Sequence, residues 1–566
     1  MKWESYHYGG PIMNARRRTA SVALFASLAL VGTSGAIAGA TSSPHTSSSP
    51  TLRIGTQYQV DSMNPFVALE SSALAVYKYI YPSLVQYNTK LAVAPNFATS
   101  WGHSANGLNW TFHLHSGAKW SDGQPLTSSD VVWTVNTVLK YASGGSALMA
   151  TYLQGVKSAS APNASTVILH LQAPEAALLA NIARMPILPS HVWSKYATGK
   201  DGAGLRSFSN QPTPGQPVVS GGPFMCTQYS ASGVDLFSVN PNFYGPKPTI
   251  NGFGLEYFTS ADAEIQALKT NQIDVMLNAT PSAIGNLKAD PSLSVDTKPA
   301  LNESSFIIND YKGKKANREL LNPLVHEAFN YAIDRKTIVK DAFNGDATPG
   351  SQPLPVADTA WYNPTLKPVA FSLSRANALL NKAGYKKGSG GIRVANGHPM
   401  SYTVVLSTDE EGPRLRAFDI MQSDFRKIGV QLKVSITDDA TAAGLEATPS
   451  QKFDLGMWGW TPPGPDPTFM LNTYTCSQFG GWQETGYCSK AYDKLFAEQA
   501  VTLNFKKRQR IVFKMEAMLA KAMPEFMYVY EHVNDVWNNA WSGFGETPGG
   551  LFSALTIDGI TYAKHS

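Results

Sequence analysis

Trp458 and Trp460 stand two residues apart in Leu455-Gly456-Met457-Trp458-Gly459-Trp460, so in an extended strand both indoles face the same side. The strand runs into Thr461-Pro462-Pro463-Gly464-Pro465-Asp466-Pro467, whose prolines fix φ and remove backbone donors, giving a stiff, irregular loop. A rigid loop edged by indoles suits capture of an amphipathic ligand by stacking and hydrogen bonding; the competing reading is that one or both tryptophans are core. Tyr474 and Trp482 extend the same aromatic set. Tyr58, Asn64 and Phe66 form a second set near the start of the chain. They end or follow the first apolar strand, residues 52–58, and loops beyond strand ends line ligand crevices in α/β folds. Simple packing is the alternative for each.

Catalytic motifs are not written in the chain. It has no G-x-S-x-G elbow, no H-E-x-x-H, no phosphate-cradling G-x-x-x-x-G-K and no cysteine-histidine metal spacing. His113 and His115 share a strand face, but two imidazoles without further ligands make a poor zinc site, and a half-exposed strand face explains them. The expectation is no catalytic residue, no metal and no cofactor, although distant carboxylates leave acid–base chemistry open. Cys476 and Cys488 bracket a short Gly/Gln-rich loop, and in an exported protein such a pair is expected to form a disulfide. Cys226 is then left as a buried free thiol.

The elements that must position these residues follow from composition and periodicity. The chain has 566 residues, 11% aromatic and 15% charged, with a formal net charge of +5. That balance, with acidic and basic residues interspersed, points to an ordered, turn-rich protein and away from nucleic acid. Arg16-Arg17-Arg18, an apolar run over residues 20–31 and Ala36-Ile37-Ala38 have the three parts of a secretory signal peptide. Residues 1–40 are assigned to it; because the basic region falls so late, translation is expected to start at Met13, with a long n-region as the alternative and a twin-arginine signal as a minority reading. The Ser/Thr/Pro-rich residues 41–50 read as a linker.

Trp110, Phe112 and Leu114 alternate with Thr111, His113 and His115, the period of a strand with one buried face, and residues 118–120 are expected to run back beside it. Thr127-Ser128-Ser129-Asp130 is a capping box opening a helix. A helix is expected over residues 73–85. Residues 402–406, 414–428 and 430–436 read as strand, helix and strand, a right-handed parallel unit. A last helix over 505–523 leads into a strand at 526–530.

Trp101, residues 107–114, Lys119-Trp120, Asp122-Gly123, Pro125 and residues 127–132 resemble the signature region of family 5 of the bacterial extracellular solute-binding proteins, the oligopeptide- and dipeptide-binding components of ABC transporters. Residues 220–224, 241–244 and 329–335 add to the likeness, which runs from Leu52 to about Phe544. It implies an α/β fold of the two-lobed periplasmic-binding-protein kind, class II and of the large three-domain type, closing about a hinge. The first lobe is expected to take residues 51–94, 220–310 and 526–566, a subdomain 95–219 and the second lobe 311–525. The hinge is expected near Tyr311 and Pro524.

The implied function is capture of a peptide or peptide-like solute by a monomer, without catalysis, and its delivery to the membrane subunits of an ABC permease. Many relatives carry a lipobox cysteine after the signal, and its absence implies secretion without a diacyl anchor. Peptide-binding relatives place an aspartate in the loop after the Gly-Trp pair to hold the ligand's α-amino group. Counted from Gly459-Trp460 that place falls at Pro463, with Asp466 the nearest acid. Residues 407–411 are acidic where dipeptide-binding relatives offer an arginine to the ligand's C-terminal carboxylate. An uncharged oligosaccharide on Trp458, Trp460, Tyr474 and Trp482 is therefore the second reading. A secreted hydrolase or scaffold is the reading from another class.

Overall fold

The computed structural model describes residues 50–230, 233–408, 412–447 and 452–566, through which one twelve-stranded sheet spans both lobes. The signal segment, nearly all of the linker and residues 409–411 of the acidic loop lie outside the described residues. In chain order the strands are β1 (Thr51–Thr56), β2 (Phe224–Gln228), β3 (Val234–Val239), β4 (Gly252–Tyr257), β5 (Val275–Met276) and β6 (Leu293–Pro299). Then come β7 (Glu303–Ile308), β8 (Ala347–Pro349), β9 (Ser401–Ser407), β10 (Gln431–Thr437), β11 (Leu455–Trp460) and β12 (Glu525–Asn538). The spatial order is β10-β9-β11-β7-β12-β5-β1-β4-β3-β2, with β6 and β8 also paired to β12.

β12 belongs to both lobes. Its residues 525–529 pair with β7 and its residues 532–538 with β6, so the partner changes beside Glu531. The second crossing is the short connection between β6 and β7. There the Ala300 amide donates to the Glu531 carbonyl over 2.9 Å, and the Glu531 amide donates to Asn302 Oδ1 over 3.0 Å. Phe306 and Ile308 of β7 lie in the second-lobe core with Val404, Leu406 and Phe425. The changes of strand partner therefore fall at residues 300–302 and 531–532. In β12 the partner changes where the buried apolar run of residues 526–530 gives way to Glu531 and His532.

In the first lobe β1 lies parallel between β4 and β5. Helix α1 (Ser71–Ile80) ends five residues before the expected position because Pro82 drives Tyr81 out of helical conformation. The subdomain is a four-stranded antiparallel sheet in the order Ala98–His103, Asn109–Leu114, Thr166–Leu171, Val156–Asn163. Trp110, Phe112 and Leu114 are buried as their alternation requires. Their hairpin partner is Ala98–His103; residues 118–120 contribute only the isolated bridge from Lys119 to Pro125. Helix α2 (Ser128–Lys140) opens on the full capping box, with Asp130 accepting from the Thr127 amide. One continuous core joins this subdomain to the first lobe, from Ile54 and Phe253 to Phe112 and Val131.

In the second lobe β9 and β10 are parallel and joined by α3 (Pro413–Lys427). Helix α4 (Asp439–Glu446) packs on β9, and α5 (Phe505–Ala522) buries Ile511, Val512, Met515 and Leu519 against Trp361, Tyr474 and Tyr492. Cys476 and Cys488 are bonded, and Cys226 is free and buried. Among the described residues no helix is long and apolar enough to cross a membrane.

Candidate functional site at the lobe interface

The proline-rich loop after β11 lies between the lobes. A Cβ placed on Gly464 would stand 3.7 to 3.9 Å from Leu555, Tyr87 and Arg184, all on the first-lobe side. Two residues on, Asp466 is gripped by Arg508 of α5 through bonds of 2.7 and 2.9 Å. Arg508 also donates to the Ala176 carbonyl of the subdomain and lies over the Trp361 ring. Asp466 is thus spent on holding the loop and is not open to a ligand. Burial raises its pKa, but the adjacent guanidinium outweighs burial and holds it below the usual carboxylate value.

β11 supplies the aromatic platform. Trp460 meets Phe469 at 5.6 Å and Trp482 at 5.8 Å, both edge to face, and Trp482 is 52% exposed. Trp458 shares the sheet face with Trp460, as the spacing requires, but packs with Ile307, Val405 and Ala442. The glycines between and before the indoles make room for charge. A Cβ on Gly459 would stand 3.0 Å from the Arg414 guanidinium, and one on Gly456 would stand 2.2 Å from Glu446 Oε1. The disulfide closes the segment that carries Trp482 and Glu484.

Beneath the platform lie carboxyls. Glu303 pairs across strands with Trp460, and the Trp460 indole donates to Glu484 Oε2 over 3.2 Å. Tyr474 is buried and donates its hydroxyl to Glu525. Both oxygens of Glu303 and of Glu446 are shielded from solvent without a hydrogen-bond partner of good geometry among the described residues. Burial pushes Glu303, Glu446 and Glu484 well above the usual carboxylate value, and neighbouring acids add to it: Glu525 beside Glu303, and Glu525 and Glu446 beside Glu484. The sheet face below the indoles therefore favours protonated, neutral carboxyls that donate hydrogen bonds.

The early set divides. Tyr58 is 54% exposed at the end of β1. Asn64 is buried and donates to the Leu205 and Phe208 carbonyls while its Oδ1 accepts from the Phe66 amide. Phe66 packs on Trp193. Asn64 and Phe66 fasten the loop after β1 to the subdomain, with partners so far along the chain that no local pattern marks them. Sequence reasoning also missed Lys78 and Arg184, which line a small cavity on the first-lobe side. The signal for Lys78 was present: it is the one charge in Ala73-Leu74-Ala75-Val76-Tyr77-Lys78-Tyr79-Ile80.

With this geometry in place, the comparison with known proteins decides the family. The sequence model of the bacterial extracellular solute-binding proteins, family 5 Middle, matches residues 92–482. The chain belongs to that family. As a family 5 solute-binding protein it is similar to protein XP55 of Streptomyces lividans, 27% identical over 77% of this chain and 74% of that protein. The dipeptide-binding protein of Escherichia coli is 24% identical over 80% of this chain and 84% of its own length. Among solved structures, the ABC transporter substrate-binding protein CtaP of Listeria monocytogenes aligns with a TM-score of 0.77 at 20% identity, covering 92% of this chain and 99% of that one. The oligopeptide-binding protein AppA of Bacillus subtilis, in complex with a nonapeptide, aligns at 0.70 and 19% identity over 92% and 99%. These two likenesses establish the two-lobed α/β fold.

Proposed function

We propose that this family 5 protein captures a peptide or peptide-like solute between its lobes and hands it to an ABC permease, without catalysing a reaction. What carries the reading is the similarity to curated peptide-binding proteins over most of their length, the E. coli dipeptide-binding protein among them, together with a lobe interface edged by a half-exposed indole pair. Residues 1–40 act in this reading as an export signal, and the mature chain works as a monomer outside the cytoplasm. Closure turns on the crossings beside Ala300 and Glu531, where a few backbone torsions can swing one lobe against the other. An oligosaccharide is the second reading. It is favoured by Pro463, which offers no charge to an α-amino group, and by the engagement of Asp466 with Arg508. Calorimetric titration with di-, tri- and longer peptides beside a set of oligosaccharides separates the readings, and small-angle scattering of the same mixtures reads closure. Peptide binding with a smaller radius of gyration is the expected result. Binding of sugars alone overturns the peptide, and turnover of any titrant overturns the carrier.

A further inference from the structure

Arg184 is a cation without an anion. Its Nε is shielded from solvent and finds no acceptor, and among the described residues no carboxylate pairs with it; its guanidinium lies over the Tyr152 ring, 5.1 Å from Cζ. It lines a cavity of about 20 Å³ with Lys78, Tyr77, Tyr152, Met149 and Ala554, and no acidic side chain is in that lining. Such a volume admits one water or one carboxylate oxygen. Lys78 is buried on α1 and donates to Ser83 Oγ over 2.7 Å and to the Ala183 carbonyl over 2.8 Å. An ammonium has three donors, so one is left over. Burial, reinforced by Arg184 and opposed by Asp558, lowers the Lys78 pKa to about 7. An anion in the cavity would restore the charge of the amine and complete the arginine at once.

Position gives this pocket its meaning. The Arg184 stem lies against the place a Cβ on Gly464 would occupy, at 3.9 Å, so the side chain reaches from the cavity to the interlobe loop. The residue before Gly464 is Pro463, which brings no charge to meet the guanidinium. Asp466, the acid of that loop, is already committed to Arg508. A planar fork of donors and a compact amine lining one cavity match a carboxylate, one oxygen of which the space admits.

We propose that Lys78 and Arg184 form a carboxylate-binding pocket on the first-lobe side of the interface, and that it holds the C-terminal carboxylate of the captured solute. The second half of this statement rests on the peptide reading; the first does not. Saturation-transfer NMR with acetate as the probe tests the pocket alone. Transfer to the acetate methyl is expected in the wild type, weakened several-fold in Arg184→Met and in Lys78→Met and largely retained in Arg184→Lys. No transfer to the wild type, or undiminished transfer to folded Arg184→Met, overturns the pocket. Calorimetry with tri-alanine and tri-alanine amide then tests the solute. The wild type should prefer the acid by about tenfold or more, the worth of a charge-assisted contact, and Arg184→Met should lose the preference. Equal binding of acid and amide overturns the assignment to the solute's terminus while the peptide reading stands. Binding of neither, beside a positive acetate result, overturns that assignment together with the tri-alanine form of the peptide reading and leaves the pocket.

Discussion

Asp466 and Arg508 are joined by two parallel hydrogen bonds, 2.7 and 2.9 Å long, and this pair ties the interlobe loop to α5. Arg508 reaches the subdomain as well, through the Ala176 carbonyl, so a single guanidinium links the loop, the second lobe and the subdomain. Removing the acid strands a buried cation. Asp466→Ala is expected to cost about 3 to 5 kcal/mol at neutral pH, measured by urea denaturation. The Asp466 carboxyl is held below its ordinary value, so its contribution is present above the unfolded pKa and is lost as pH falls through the folded one. The difference between wild type and variant should narrow in acid below the ordinary carboxylate range. A difference that stays constant across that range would count against the pairing as its source.

The disulfide should matter for the platform more than for the fold. It closes a separation of twelve residues that includes Trp482 and Glu484, and the chain-entropy account gives about 3 kcal/mol for a loop of this size. The paired substitution Cys476→Ser with Cys488→Ser is expected to lower stability by about that amount. It should also blue-shift or red-shift the tryptophan emission, because the indole pair of Trp460 and Trp482 loses its closed frame. Denaturation and fluorescence of the two proteins, both without reductant, provide the check; identical spectra would mean that the loop holds its shape unaided.

Much of this molecule could be read before it was seen, and the parts that could not share a cause. The strand of Trp110, Phe112 and Leu114, the capping box of Thr127 and Asp130, and the parallel unit around α3 are local: period, cap and turn all lie within a few residues. The spacing of Trp458 and Trp460 puts them on one face, but which of them is core depends on Val405 and Ala442, which arrive from other elements. Asn64 looked like a cleft residue and is a clasp, because Leu205 and Phe208 come from far along the chain. The change of strand partner at Glu531 depends on β6 and β7, which arrive from more than 200 residues earlier in the chain. Long-range partners decide these cases, and one sequence does not display them.

Trp482 offers the cleanest separation of binding from stability. It is 52% exposed, and among the described residues its ring pairs, with Trp460 and Phe469, are edge to face. Trp482→Ala should change unfolding free energy by about 0.5 kcal/mol or less, as exposed positions do. Solute affinity should fall about tenfold, the loss expected when an aromatic anchor is truncated. Trp460→Phe is the complementary variant: the ring remains, but the indole N–H bond to Glu484 is lost. Titration of the solute found for the wild type against both variants tests the pair. Full affinity in Trp482→Ala would remove the platform from the binding site.

Glu303 supplies a prediction whose sign is opposite to that of Asp466. Burial and the nearby Glu525 push its pKa well above the usual carboxylate value, and the opposing charge of Arg414 offsets them only in part. A folded pKa above the unfolded one makes the contribution fully present below about pH 4.3 and steadily lost as pH rises through the folded value. Wild-type stability should therefore decline from mildly acidic toward alkaline pH through this cluster. Glu303→Gln keeps the shape and cannot ionise, so it should flatten that decline, with its advantage over wild type growing from about pH 5 to about pH 8. Urea midpoints across this interval decide the matter. If the advantage were instead largest in acid, Glu303 would have to be ionised in the fold, with the charge of Arg414 outweighing burial.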